Sequence, residues 1–223
     1  MRIGGLHKLS LIDYPKKVAA VIFTQGCDFR CPFCHNPDLV LPEQFLSPMN
    51  EEEIFKFLAK RKDQLTGVVV TGGEPTIHSD LPDFLRKIKE LGYSIKLDTN
   101  GNHPDVLKSL MDQGLIDYVA MDIKTSFARY SQAAGVSVDI QNIQRSIDLI
   151  VGSEIDYHFR TTVVHKLISE NDLKNIKESL GQAKRYLLQE FVVDQMILDK
   201  TLKDERVYTE EEFKKLQQGW EKK

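Results

Sequence analysis

Val18-Ala-Ala-Val-Ile-Phe-Thr-Gln-Gly-Cys27-Asp-Phe-Arg-Cys31-Pro-Phe-Cys34-His-Asn-Pro37 joins the chain's longest wholly apolar run to a loop that holds every cysteine it has. Val18 to Phe23 has strand length, and the Gly and Pro residues beyond it mark a loop, so the thiols sit where a strand ends. Three cysteines cannot pair completely, and their spacing, C-x3-C-x2-C, places them within one short turn. Thiolates so close repel one another unless a metal neutralises them, which leaves zinc and an iron–sulfur cluster as candidates and a disulfide as the poorer fit. A structural zinc site closes four ligands, and the only nearby fourth is His35, directly behind Cys34. A [4Fe–4S] cluster normally takes four thiolates, so three would leave one iron open to another ligand, an arrangement suited to chemistry.

Beyond this loop, strand, loop and helix signals alternate. Strands are expected near 18–24, 67–71, 93–98, 117–123, 155–163 and 186–192. Helices are expected over 51–62 with Asn50 and Glu53 as a capping box, after Ser79 up to Gly92, and from Asn102 and Pro104 to Gly114. Others run through Ile143 and Ile147 to Gly152, and from Ser169 to Gly181. Such alternation implies parallel strands with helices outside. At roughly 30 residues per strand–helix–strand unit, the 223 residues are too few for a comfortable eight-fold barrel. The expected fold is therefore α/β, a partial (β/α)6 TIM-like barrel, with a doubly wound open sheet as the competing architecture.

Alternate residues of a strand face opposite sides. In the fourth strand Val119, Met121 and Ile123 oppose Ala120, Asp122 and Lys124; in the third, Ile95 and Leu97 oppose Lys96 and Asp98. In the fifth, Ile155, Tyr157 and Phe159 oppose Asp156, His158 and Arg160. With the apolar faces against the helices, Asp98, Asp122, Lys124, His158 and Arg160 converge on one cavity near the carboxyl ends of strands. The plainer reading is paired charges filling a lumen, and the threefold repetition favours a site.

A second loop, Thr71-Gly72-Gly73-Glu74-Pro75, follows the strand at 67–71. Its glycines permit close backbone approach, Glu74 supplies an acceptor and Pro75 fixes the exit. The chain lacks a Walker A ending, a G-x-G-x-x-G and an H-E-x-x-H. With 41% hydrophobic and 28% charged residues, it is neither low-complexity nor disordered. A net charge of −3 offers no bulk field for nucleic acid, though a local patch is not excluded. The run Val18 to Phe23 falls far short of a membrane span, and the amino terminus shows no secretion signal; no membrane partner and a cytoplasmic location are expected.

These motifs together resemble the radical S-adenosylmethionine (SAM) enzymes. Cys27, Cys31 and Cys34 match that superfamily's cluster loop, Thr71-Gly-Gly-Glu-Pro its methionine-amine motif, and Phe33 the aromatic beside the adenine. Gly4-Gly5, Ser10-Leu-Ile-Asp-Tyr-Pro, Phe23-Thr-Gln-Gly-Cys, Cys34-His-Asn-Pro, Asp98-Thr-Asn-Gly and Asp122-Ile-Lys are similar to the glycyl-radical-enzyme activases. Among these the likeness is greatest to anaerobic ribonucleoside-triphosphate reductase activating proteins. The resemblance covers about residues 4 to 165 and is weakest over the last fifty. It implies metal ligation by Cys27, Cys31 and Cys34, and SAM bound by Phe33, His35, Gly72, Gly73, Glu74, Asp98, Thr99, Asp122, Lys124 and Arg160. The two glycines and Glu74 would receive the ammonium and Lys124 would neutralise the carboxylate. Asp98, Thr99 and Asp122 match positions that hold a monovalent cation or contact ribose and amine. One electron would cleave the sulfonium, giving methionine and a 5′-deoxyadenosyl radical that takes hydrogen from a glycine of a partner glycyl-radical enzyme.

The resemblance implies one radical SAM domain over 1–223: an N-terminal extension 1–14, a core of about 15–195 and a helical tail 203–223. Three cysteines leave none for an auxiliary cluster, so electrons would come from a flavodoxin or ferredoxin. No histidine follows His165, so the ribose contact that related activases make late in the chain has no counterpart, and Gln189 is only a stand-in for it. Two rivals remain at this stage: a radical SAM enzyme acting on a small molecule, like the 7-carboxy-7-deazaguanine synthases, and a non-catalytic zinc-binding interaction module.

Overall fold

The computed structural model describes residues 1–193 and 196–221; positions 194 and 195, in the expected core, and 222 and 223, at the end of the expected tail, lie outside the described residues. One seven-stranded sheet organises the chain, in the order β1 to β7: Ile3–Ser10, Ala19–Thr24, Gly67–Gly72, Ser94–Thr99, Tyr118–Asp122, Asp156–Val163 and Tyr186–Glu190. From β2 onward every pairing is parallel, and β1 alone runs antiparallel, against β2. The six expected strands are thus present, and a seventh precedes them within the segment read as an extension. Gly4 and Gly5 weaken its strand signal, and the outer edge leaves His7 and Lys8 exposed, so no apolar alternation advertised it.

Spatial order follows chain order without reversal. Right-handed crossovers that always step the same way put every helix on one face, which distinguishes a barrel-like winding from a doubly wound sheet. The connecting helices are Glu51–Lys60, Leu81–Glu90, Pro104–Asp112, Ile140–Val151 and Glu170–Ser179. The Asn50 side chain accepts from the Glu52 amide, and Asp80, not Ser79, precedes Leu81–Glu90. Val68, Val70, Ile95, Leu97, Val119, Met121 and Phe159 pack with these helices into the main core. The opposite face carries a small apolar plug, Tyr14, Ala19, Val21, Val69 and Tyr118, and above it the charged residues singled out by parity.

The end of the sheet that bears those charges is braced by Asp172. This buried carboxylate closes a capping box with Ser169 at the start of Glu170–Ser179 and accepts from Ser126 Oγ and from Arg129 Nη1 at 2.8 Å. Burial pushes its pKa up, but the serine bonds and Arg129 outweigh burial and hold it down at about 2. A carboxyl depressed in the folded state stabilises above its unfolded value of about 4, and that contribution fades as pH falls toward 2. Asp172→Asn is expected to cost about 1–3 kcal/mol at pH 7, measured by denaturant unfolding. The gap between variant and parent should close between pH 4 and pH 2; a constant gap would mean that the charge contributes nothing.

Candidate functional site

A cavity of about 240 Å³ opens at the carboxyl ends of the parallel strands, and every residue that the sequence assigned to metal or cofactor lines it. Cys27, Cys31, Phe33, Cys34 and His35 come from the loop after β2; Gly72 ends β3, and Gly73 and Glu74 follow it. Asp98 and Thr99 end β4, Asp122 ends β5 with Lys124 two residues beyond it, and Arg160 lies on β6. Gln189 on β7 and its register partner Thr162 complete the wall. His158 does not join it: the ring sits one layer deeper, where Tyr118 Oη and His158 Nδ1 are 2.9 Å apart. Burial and the charges of Arg160 and Lys96 push its pKa down to about 4, so it is a neutral element of the barrel floor.

The cysteine loop is shaped by backbone bonds to its surroundings. Gly26 N donates to Leu39 O at 2.7 Å, Arg30 N to Ala134 O at 2.7 Å and Cys34 N to Cys31 O at 3.0 Å. The Arg30 guanidinium folds back onto the carbonyls of Cys27 and Phe29. From the far side, Leu198 N donates to Cys34 O and Asp199 N to Pro32 O, both at 2.9 Å, so the segment after β7 straps the loop. His35 Nε2 lies 2.7 Å from Val192 O in the same strap. The Gly-Gly loop meets the cysteine loop backbone to backbone, with Glu74 N donating to Gly26 O at 2.7 Å. A Cβ on Gly73 would stand 1.9 Å from that same carbonyl oxygen, and Gly72 adopts φ +117° against Thr24.

Two acids, Glu74 buried and Asp28 half-buried, knit the loops further. The Glu74 carboxylate accepts from Thr76 N at 3.1 Å, Thr99 Oγ1 at 2.8 Å, Asn100 N at 2.6 Å and the Thr76 hydroxyl. Asp28 accepts from Asn100 Nδ2 and Asn102 Nδ2, both at 2.7 Å, with His103 Nε2 at 3.0 Å. Sequence reading missed the Asp28 partners because Asn100-Gly-Asn102 carries only a turn signal. Lys96 was placed on the polar face but given no role. It is 2% exposed, and its ammonium donates to Asp98.

Lys96 begins a ladder of alternating charge. Asp98 Oδ2 accepts from Thr71 Oγ1 at 3.3 Å and from Arg160 Nη2 at 3.2 Å. Arg160 Nε donates to Asp122, whose other oxygen accepts from Lys124 Nζ at 3.0 Å. Burial pushes the Asp122 carboxyl up, but Arg160 and Lys124 more than offset it and hold the pKa below the usual carboxylate range. Burial lowers Lys124 and Arg160, but Asp122 and then Cys31 raise Lys124, and Asp122 and Asp98 raise Arg160, each above its ordinary value. Lys124 also lies 6.0 Å above the Phe33 ring.

The donor set fits an iron–sulfur cluster better than zinc. All three thiols are free, yet among the described residues no three His, Cys, Asp or Glu side chains gather around one point as a single ion requires. A cube spreads its sulfur ligands around a body several ångströms wide, and all three thiol residues line this one cavity. Burial pushes each of them up, Cys31 to about 11, with Lys124 pulling Cys31 and Cys34 back down. They become thiolates when a metal supplies the missing positive charge. The cradle of Gly72 and Gly73 and the cationic ends of Lys124 and Arg160 suit an amino-acid moiety beside the cluster.

If Gly73→Ala is made, the added methyl should part the two loops while leaving the sheet intact by circular dichroism. The Glu74 amide would then lose its protection from hydrogen exchange; retained protection would show that the loops absorb the methyl.

Comparison with known proteins agrees with this geometry. Residues 21–180 match the Radical SAM superfamily. A Methanocaldococcus jannaschii protein named as a glycyl-radical enzyme activating enzyme is 38% identical over 196 residues, which cover 85% of this chain and 79% of the relative. The pyruvate formate-lyase-activating enzyme of Clostridium pasteurianum is 33% identical over 132 residues, 55% of this chain and 52% of the relative. In fold, the chain superposes on the radical SAM enzyme HemN, the coproporphyrinogen III oxidase of Escherichia coli, with a TM-score of 0.60 at 13% identity, over 93% of this chain and 52% of that one. Among the described residues no helix is long and apolar enough to cross a membrane. On the match over residues 21–180 and the likeness along most of its length, the chain belongs to the radical SAM superfamily.

Proposed function

We propose that this protein, acting as a single radical SAM domain, generates a glycyl radical on a partner enzyme, and that the partner is an anaerobic ribonucleoside-triphosphate reductase. The observation that carries the proposal is the gathering of three free thiols, a paired-glycine cradle and a cationic wall around one cavity, in a chain with no fourth cysteine. A reduced [4Fe–4S] cluster with bound SAM would supply one electron to cleave the sulfonium–carbon bond, giving methionine and a nucleoside radical able to take a hydrogen atom from the partner's glycine.

The chain's own residues bind and orient. Cys27, Cys31 and Cys34 hold the cluster. Gly72 and Gly73 admit the amino group against the backbone, and Glu74, its oxygens engaged by Thr76, Thr99 and Asn100, fixes the shape of that cradle. Lys124 and Arg160 attract the carboxylate. Phe33 offers its ring to the adenine, Asp98 and Asp122 set the cationic groups in place, and Thr99 holds Glu74. His35 stands at the mouth, tied to Val192, which is 61% exposed. That apolar rim suits a glycine loop entering from the side. Electrons come from a small carrier such as flavodoxin or ferredoxin.

The test mixes anaerobically reduced protein, SAM and the candidate reductase, then looks for a glycyl radical by electron paramagnetic resonance. A radical with the reductase supports the reading; SAM cleavage without any protein radical would favour a small-molecule substrate. Reconstituted protein should be brown with about four iron per chain, and Cys31→Ala should abolish SAM cleavage. Lys124→Ala should weaken SAM binding at least tenfold while iron content stays unchanged; loss of iron would make Lys124 a structural part of the cluster loop.

A further inference from the structure

The resemblance implied a monovalent cation held by Asp98, Thr99 and Asp122, and these residues do not fit one. Four charge-assisted contacts already occupy the two carboxylates: Lys96 and Arg160 on Asp98, and Arg160 and Lys124 on Asp122. Thr71 takes a further position on Asp98, and the Thr99 hydroxyl is turned to Glu74. Three cations against two acids leave one surplus positive charge. Glu74, the remaining acid of this wall, directs its oxygens to hydroxyl and amide donors of its own loops and not to the ladder. A free cation would therefore meet repulsion and no vacant carboxylate oxygen.

We infer that Lys96 and Arg160 are built-in counter-cations that do the work of a bound monovalent ion, so that the SAM carboxylate is accepted by the protein without a metal cation beside it. The inference rests on the SAM site proposed above. Lys96 is the unusual member. Its ammonium is buried at the floor of the cavity, does not line the cavity, and touches Asp98. Burying an ammonium is costly unless it is paired, and pairing with Asp98 leaves Arg160 free to bridge both acids. The surplus charge then appears at the rim, where Lys124 and Arg160 face the cofactor. Lys96 is thus a positioning residue, acting through Asp98.

The test uses the cluster-loaded protein at constant ionic strength, with tetramethylammonium, too large to enter, exchanged for sodium, potassium or ammonium. Two quantities are read: the thermal midpoint without SAM, and the SAM dissociation constant by equilibrium binding. For the parent protein both should be insensitive to the cation, with less than a twofold change in affinity. Lys96→Ala leaves a carboxylate oxygen unpaired beside a space of ammonium size, so the variant should bind SAM at least tenfold more weakly in tetramethylammonium. Potassium or ammonium should restore most of that loss and raise the variant's thermal midpoint.

A parent protein whose affinity rises tenfold or whose midpoint climbs with sodium or potassium overturns the inference. So does a folded Lys96→Ala variant as indifferent to cations as the parent, since a merely structural lysine would not be replaced by a salt. Should Lys96→Ala fail to fold in every salt, the parent's response decides. If SAM binds in none of the salts, the cofactor reading falls, while the thermal midpoints still judge the cation inference.

Discussion

The Asp122–Arg160 pair is the interaction on which the site depends, and parallel register produces it. Asp122 and Arg160 are direct partners across β5 and β6, so their side chains leave the sheet on the same face at the same height. Arg160 is long enough to reach past Asp122 to Asp98 on β4, whose backbone pairs one layer lower, with Ala120. Small Ala120 leaves the room through which the guanidinium spans three strands. A shift of register by one residue in either pairing would turn one partner toward the helices and leave a buried charge unpaired, a cost of several kcal/mol. The charged lumen therefore selects the register that the apolar outer face also selects. The two faces of the sheet agree on one alignment, which is the consistency expected of a sequence that specifies a single fold.

Much of this was legible in the sequence because two periodicities coincide. Alternation within 94–99, 118–122 and 156–163 assigns faces, and strand–helix repetition assigns parallel pairing; together they place Asp98, Asp122, Lys124 and Arg160 in one cavity. Parity alone says nothing about depth, which is why His158, on the correct face, was grouped with the site although it lies one layer below. Lys96 escaped for the same reason in reverse. A lysine in a strand reads as a solvated edge, and only the position of Asp98 two residues later, on the same face, gives its ammonium a buried partner. β1 was illegible because its glycines and exposed histidine and lysine follow no period, and its pairing with β2 is a tertiary fact. The Asp28 network joins positions more than seventy residues apart, and no local signal connects them.

The loops show a division of labour. Hydrogen bonds accepted by the Glu74 and Asp28 carboxylates hold the loops after β2, β3 and β4 to one another, while the contact at Gly73 and Gly26 brings two backbones together where no Cβ fits. The cysteine loop is held by Leu39, Ala134, Leu198 and Asp199, which come from three separated parts of the chain. None of these bonds involves a thiol. The loop's path is consequently set by the protein, and a cluster entering it meets ligands already near their places. Pre-organisation of this kind favours binding because the ordering entropy has been met by folding.

Charge supplies the complement to that geometry. With the thiols protonated, the cavity pairs raised thiol pKa values on one wall with surplus positive charge on the other. Lys124 acts on both, since its field favours the thiolate forms of Cys31 and Cys34 and its ammonium also anchors Asp122. Iron binding would release the thiol protons, and the positive core of the cluster would offset most of the thiolate charge, so the cationic wall keeps its surplus. On the function proposed above, a carboxylate would meet Arg160 and Lys124, which Asp98 and Asp122 hold in position. The two walls together would then suit a zwitterion, its ammonium against the glycine cradle and its carboxylate beside the cationic groups.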